Sequence, residues 1–353
     1  MMTLFQMAER FEKLLDRLPG PIRTPVEREW QPLKELFLSR RAPRLVLLGE
    51  GAEAFAAQLL PQHAPDAPDA EWAVDARTAW CLARRRGAVH FVAVTREDQT
   101  FRAARAAIAN ARPDAYVLVP GEEGLDFSRL RELRQFDRER YKDPGPIVAV
   151  AAGPGPEALA SALFEDASLS GAVAAVLPAD DREAVLAAVA RALPAEARLE
   201  FARTTGEKGV QREIARTVTR SAAAVCTAIG AQPIPLADLP VLTSVQALMV
   251  AGIIYASGRE WSLATGRDFL AAVGVNVGAA FLFREGARAA VKFFPGWGNA
   301  VSGAVAGAGT YAVGLAATGY FVDGLPVAEV RKRFRLSRRR LKSLPDKEGE
   351  RGV

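Results

Sequence analysis

The sequence is short of the residues on which most metal and hydrolytic chemistry depends. Among 353 residues there are two cysteines, Cys81 and Cys226, and two histidines, His63 and His90. The cysteines lie far apart and outside any C-x-x-C, so disulfide frameworks and zinc sites have almost no raw material. This points to a reducing, cytoplasmic compartment. A Ser-His-Asp or Cys-His mechanism would have to run through one of the two histidines. His63 stands in a Pro/Ala/Asp loop and His90 opens an apolar run, so common hydrolytic chemistry is disfavoured. The first residues, MMTLFQMAERFEKLLDRLP, never reach an uninterrupted apolar stretch of about 7–15 residues and do not read as a signal peptide. Acidic residues are missing from one place above all. Arg331 to Lys342 holds eight basic residues and no acid, which leaves the rest of a chain of net charge +5 at about −3. The basicity is therefore read as a tail and not as a face.

What is present is ordinary globular composition, 50% hydrophobic and 25% charged, with length for two or three domains. Leu4, Phe5, Met7, Ala8, Phe11, Leu14, Leu15 and Leu18 recur at helical spacing up to Pro19-Gly20-Pro21, and a second amphipathic helix is expected at about 26–38. From Arg44 the pattern changes. The runs 45–49, 89–94, 115–120, 146–153 and 171–178 are short, continuously apolar and closed by Gly, Pro or polar residues, as suits strands buried on both faces. Helix-length segments lie at about 101–111, 127–140, 157–164 and 181–193. Strand and helix alternating in this way predicts an α/β domain over 42–195, with a parallel sheet covered on both sides.

A glycine directly after an apolar strand is where a phosphate-binding loop, G-x-x-x-x-G-K-[ST], belongs. The string here is Gly49-Glu50-Gly51-Ala52-Glu53-Ala54-Phe55-Ala56. Gly49 stands and Gly51 follows, but Ala54 holds the second glycine's place, Phe55 the lysine's and Ala56 that of the magnesium-binding hydroxyl. Glu50 and Glu53 add negative charge where a triphosphate would sit. The arrangement resembles the Era-like branch of bacterial small GTPases. The resemblance places the metal motif D-x-x-G at Val94-Thr95-Arg96-Glu97-Asp98, the guanine-reading N-K-x-D at Ala151-Ala152-Gly153-Pro154, and the last motif at Leu177-Pro178-Ala179. Each has lost its functional side chains, so the expectation is a degenerate, P-loop NTPase-like sheet with no cofactor and no metal. A flavodoxin-like domain without P-loop ancestry is the alternative, and it also excludes GTP hydrolysis.

Beyond Gly206 the chain becomes helical and then very apolar. Val210, Ile214, Val218, Ala222, Val225 and Ile229 mark an amphipathic helix. The segments 240–258, 269–283 and 293–322 carry no charge at all. The strings IGAQPIPLADLPVLTSVQALMV and FFPGWGNAVSGAVAGAGTYAVG are similar to the bacterial YcjF-type helical domain of unknown function, over about 208–324. That domain commonly follows GTPase domains, so the resemblance implies a GTPase-descended α/β part attached to a helical module. Pro233, Pro235 and Pro240 break the helix, Asp238 is placed to cap the next one, and Gly274-x-x-x-Gly278 and Gly303-x-x-x-Gly307 permit close helix contact.

As a helix, Trp297 to Tyr320 would span about 36 Å. Trp297, Tyr320 and Phe321 flank this run, and Arg331, Lys332, Arg333, Arg335, Arg338, Arg339, Arg340 and Lys342 follow, as at an anionic cytoplasmic leaflet. The basic residues between 259 and 292 conflict with every simple set of full spans. A hairpin dipping into one leaflet, a peripheral attachment or a soluble bundle with an apolar core avoids the conflict. The expected organisation is two N-terminal helices (1–41), the α/β domain (42–195), the helical domain (208–324) and a basic tail (325–353). The expected function is a non-catalytic scaffold or regulator of a protein partner, an active GTPase among the candidates, on the cytoplasmic side of the inner membrane. The alternatives are a divergent GTP-binding switch and a soluble helical interaction protein in the cytoplasm. Asp98, Asp126, Asp180-Asp181 and Glu122-Glu123 are the carboxylates available to an enzyme, all at strand ends or helix starts where caps are common. Nucleic-acid binding is disfavoured, since Phe334 is the one aromatic in the tail.

Overall fold

The computed structural model describes residues 3–59, 71–74, 78–84, 87–121, 126–151, 155–231, 238–260, 265–266, 269 and 298–342. The chain divides into two compact units, one formed by 40–211 and the other by 1–39 together with 212–353.

The first unit is a seven-stranded mixed sheet with helices on both faces. Its strands are β1 (Arg44–Leu48), β2 (Glu71–Val74), β3 (Cys81–Arg84), β4 (Ala88–Val94), β5 (Ala115–Leu118), β6 (Ile147–Ala151) and β7 (Val173–Pro178), in the order β2-β3-β4-β1-β5-β6-β7. The five strands anticipated from apolar runs are the parallel part. Leu48 pairs with Val94 and Leu118, Leu118 with Ala149, and Ala151 with Pro178. A wholly parallel sheet is thus corrected to a mixed one, because β3 runs antiparallel to β4 and β2 antiparallel to β3. β2 and β3 are four residues each and include Glu71 and Arg84, so neither shows the longer continuous apolar run of the buried parallel strands.

Every residue of β5 and β6, and all but the first of β1, is buried. The unit's helices are α3 (Ala52–Leu59), α4 (Asp98–Asn110), α5 (Ser128–Tyr141), α6 (Pro156–Glu165), α7 (Arg182–Ala192) and α8 (Ala195–Thr205). Val46 and Leu48 pack with Ile108 of α4, Leu130 and Leu133 of α5 and Leu159 and Leu163 of α6. Leu45 and Leu47 point to the other face, as strand alternation requires, and there α3, α7 and α8 lie against the strands.

The second unit is helical. It contains α1 (Leu4–Leu15), α2 (Gly20–Phe37), most of α9 (Lys208–Gly230), α10 (Asp238–Ala256), α11 (Gly298–Phe321) and α12 (Val327–Lys342). Helix α1 starts in a capping box, with Thr3 Oγ1 accepting from the Gln6 amide and Gln6 Oε1 from the Thr3 amide. It buries Leu4, Met7, Ala8, Phe11 and Leu15 and packs on α10. Phe11 meets Trp30 of α2 edge-on at 4.6 Å between centroids. The stripe that had no partner in the sequence has found one in the apolar module. Pro240 lies in the first turn of α10, where a missing amide donor costs nothing. Pro233, Pro235, Gly274, Gly278 and most of the 269–283 segment fall outside the described residues.

Candidate functional site

Because β1, β4, β5, β6 and β7 run parallel, the described strings assigned to nucleotide motifs, 49–56, 94–98 and 177–179, arrive at one end of the sheet. Gly49, Thr95, Val119 and Ala179 each follow the last residues of neighbouring strands. β1 is also the point at which the strand order reverses, the usual location of a ligand crevice in open α/β sheets.

At that point the turn after β1 is drawn against the ends of β4 and β5. Only three residues separate β1 from α3, and the amides of Gly49 and Gly51, with that of Ala52 at the start of the helix, are spent on neighbouring carbonyls. Gly49 N–H donates to Val94 O (2.9 Å), Gly51 N–H to Val119 O (3.1 Å) and Ala52 N–H to Gly49 O (3.1 Å). A phosphate cradle needs such amides unpaired and convergent. Gly49 has φ +109°, and a Cβ there would lie 2.2 Å from Val119 O, so the turn is bound tightly to the end of β5. The Val119 side chain fills the space beside Gly51, where a Cβ would meet Cγ1 at 2.4 Å. Ala54 is exposed on α3, while Phe55 and Ala56 are each 4% exposed and belong to the core. A buried aromatic thus stands where the expected motif would have its lysine.

The adjoining 95–98 turn is held from α5 by Arg129. Its Nη1 donates to Thr95 O (2.8 Å) and Glu97 O (3.0 Å), and its Nη2 to Arg96 O (2.7 Å) and Asp98 Oδ1 (2.9 Å). Phe101 lies under the guanidinium at 5.4 Å. Thr100 Oγ1 accepts from the Thr95 amide and donates to Glu97 O. Glu50 lies against Gly121 and pairs with Arg96 Nε at 2.8 Å, an exposed pair worth under about 1 kcal/mol. The carboxylate beside the turn is thus already matched by an arginine. Sequence reasoning missed Arg129; the signal, an arginine in the first turn of the helix after β5, is unremarkable until the turn it reaches is known.

The carboxylates open to an enzymatic role have structural employment. Asp126 accepts from the Ser128 amide (2.8 Å) and hydroxyl (2.9 Å), bonds that hold its carboxyl below the usual range. Asp181 Oδ1 accepts from the Ala184 amide (2.9 Å) at the start of α7, and Asp98 is bound by Arg129. Asp180 stands exposed in the preceding turn. His63, Glu122, Glu123 and residues 152–154 lie outside the described residues. Burial raises the thiol pKa of Cys81 and pushes that of Cys226 up to about 12, so neither is a thiolate near neutrality. No group of three or more His, Cys, Asp or Glu side chains able to hold a metal ion occurs among the described residues.

The second candidate region is the groove between α9, α11 and α12, about 700 Å³ in volume. Tyr311 (40% exposed) and Leu315 (45%) open onto it with Phe334, and Arg216 and Arg333 border it. The tail begins as a helix packed on α11 through Val330 and Phe334, with Arg331, Lys332 and Arg333 exposed. The side chains of Arg335, Arg338, Arg339, Arg340 and Lys342, and Trp297 altogether, lie outside the description. Phe321 is buried and, with the half-buried Tyr320, stacks on Phe269 and approaches Arg259. Among the described residues one helix, Gly303–Val322, is long and apolar enough to cross a membrane, with mean hydropathy 1.3 and 56% of its apolar window buried in the fold.

One reading of the charge is overturned. Basic side chains also gather into a face, at the opposite edge of the sheet, where Arg41, Arg44, Arg112, Arg134, Arg138, Lys142, Arg191 and Arg198 line one depression. They are spread over more than 150 residues, so a search for contiguous charge runs passes over them. No protein-family model matches this chain, and a search of the curated proteins finds no match.

Proposed function

We propose that this chain is a non-catalytic adaptor. In this reading the α/β unit is a degenerate GTPase-like domain that holds no nucleotide, and the helical unit attaches peripherally to an anionic membrane surface while the molecule serves another protein. An active GTPase is the partner class favoured by the resemblance. The observation that carries the reading is the closure of the β1–α3 turn, whose amides bind Val94 and Val119 instead of remaining open to phosphate. The joint loss of functional side chains in four separate strings of the sequence supports it, because one altered position would leave the others intact.

Peripheral attachment is favoured over insertion by the packing of α10. Val245, Leu248, Met249, Ala251, Ile253, Ile254 and Ala256 are buried within the unit, and Gly252 faces the ring of Phe37. An inserted α10 would give up these contacts for lipid. The groove of α9, α11 and α12 instead offers Tyr311 and Leu315 with Arg216 and Arg333 at its border, and Arg331 and Lys332 are exposed on the same tail helix. Near an anionic membrane each basic residue contributes roughly 1 kcal/mol, screened within a Debye length.

Sedimentation with vesicles tests the attachment. The full chain should pellet with vesicles containing phosphatidylglycerol and not with pure phosphatidylcholine, should be released at high salt, and should bind more weakly when Tyr311 and Leu315 are replaced by Ser. Full recovery in the supernatant at low salt would refute membrane attachment and leave a soluble interaction protein. Resistance to both salt and alkaline carbonate would refute the peripheral mode.

A further inference from the structure

At the edge of the sheet where β1, β5, β6 and β7 begin, the α/β unit carries a depression of about 940 Å³ lined by eight basic and three acidic side chains. The acids are already engaged. Arg41 grips Asp114 with two hydrogen bonds of 2.6 and 2.7 Å and reaches Glu196 at 3.4 Å, while Arg112 pairs with Asp143 at 3.1 Å. Arg198 donates to Leu193 O and Arg191 O. Among the described residues the side chains of Arg44, Arg138, Lys142 and Arg191 have no partner, and the last three are exposed. Positive charge is thus in clear excess around a concave surface.

A fifth cation lies deeper. Arg134 of α5 lines the same depression at 3% exposure, donates from Nη1 to Gly145 O, and has an Nε–H that is buried without an acceptor. Asp137 Oδ2, the acceptor supplied by the same helix, takes the Tyr116 hydroxyl at 2.8 Å. Desolvation lowers the pKa of Arg134, and the neighbouring Arg138 adds to the effect. Asp137 and the Tyr116 ring, 5.3 Å from the guanidinium, offset part of the cost of this buried charge, and the Nε–H bond that remains unmade leaves capacity for a further acceptor.

Cations in the last turn of a helix offset its dipole, which accounts for Arg138 at the end of α5 and Arg191 at the end of α7. It does not account for Arg44, which opens a strand, or for the inward Arg134. Arginine forks match phosphate oxygens two at a time, and the volume lies at the upper end of the range for small-molecule sites. We propose that this depression binds a small molecule carrying two or more phosphate groups, held by Arg44, Arg138, Lys142 and Arg191 over the buried Arg134. The site lies at the edge opposite Gly49 and does not depend on the adaptor reading.

Calorimetric titration of the full chain with inorganic pyrophosphate is the test. Saturable binding should be stronger than that of orthophosphate and should fall at least about tenfold in Arg138→Gln/Arg191→Gln, whose exposed positions leave folding intact by circular dichroism. It should persist in Glu50→Gln, at the other edge, and in Arg331→Gln/Lys332→Gln, in the tail. Lys142→Gln supplies an independent check of the same site. Absence of saturation up to about 10 mM, or equal binding by the double variant, would overturn the proposal. Binding of a poly-glutamate peptide in place of pyrophosphate would overturn it too, in favour of an acidic protein segment.

Discussion

Gly49 decides what the carboxyl edge of the sheet can do. Its φ of +109° is reached without strain by glycine, and its missing Cβ lets the turn close onto Val119 O. Gly49→Ala should therefore destabilise the α/β unit by about 2 kcal/mol or more in urea unfolding. Retained stability would mean that the turn is looser than described. A second residue-scale expectation concerns the buried trio of Tyr116, Arg134 and Asp137. Burial pushes the Asp137 carboxyl above its ordinary value of 3.8, against the opposing pull of the Tyr116 hydrogen bond and of Arg112 and Arg134. The native state then holds the proton more firmly than the unfolded chain, so this group's contribution is fully present below about pH 3.8 and is lost as pH rises through the raised value. Asp137→Asn keeps an acceptor for Tyr116 and does not titrate. Relative to the wild type it should gain stability between pH 4 and pH 7, measured by urea unfolding at each pH, and a pH-independent difference would count against the buried carboxyl.

Among the elements, α11 shows how small residues set packing. A Cβ on Gly303 would meet Thr227 O at 2.7 Å and the Ala231 amide at 3.0 Å; one on Gly307 would meet Thr227 Oγ1 at 1.9 Å, and one on Gly314 Thr219 at 2.4 Å. Gly309 has nothing within 4 Å. Gly303→Ile should cost about 1–3 kcal/mol through overpacking against the α9 backbone, whereas Gly309→Ala should be neutral or stabilising by up to about 1 kcal/mol. Thermal unfolding checks the pair, and equal effects would show that α11 is not seated on α9. The spacing of Gly303 and Gly307 was legible in the sequence; their partner helix was not, because an Ala-rich chain offers many such pairs. The central strands were legible since burial on both faces leaves a continuous apolar run. β2 and β3 were not, and neither was α8, whose Pro194 start and Gly206 stop sit at the edge of the anticipated domain. The buried cap of α9, where Glu207 accepts from the Gly209 and Val210 amides (2.8 and 2.6 Å), lay hidden for the same reason.

At the scale of the whole molecule, residues 1–39 join the C-terminal helices in one unit although the entire α/β unit intervenes in the chain. Leu4, Phe11 and Leu15 each contribute roughly 1.5–3 kcal/mol by burial. Deleting 1–39 should bare the apolar surface of α10 and cause self-association in size-exclusion chromatography, while a 40–211 fragment should unfold cooperatively alone. A monodisperse 40–353 chain would contradict the shared core. The two ends of the sheet differ: at one the Gly49 turn is bound to β4 and β5 and Glu50 is matched by Arg96, and at the other a depression is lined mainly by basic side chains. The central claim, that the Gly49 end holds no nucleotide, is tested most directly by titrating fluorescent GTP and ATP with magnesium into the wild type and into Arg138→Gln/Arg191→Gln. The expected result is no guanine-selective saturation up to about 1 mM, with any weak, base-indifferent signal lost in the double variant. Micromolar, guanine-selective binding that survives in that variant would contradict the claim.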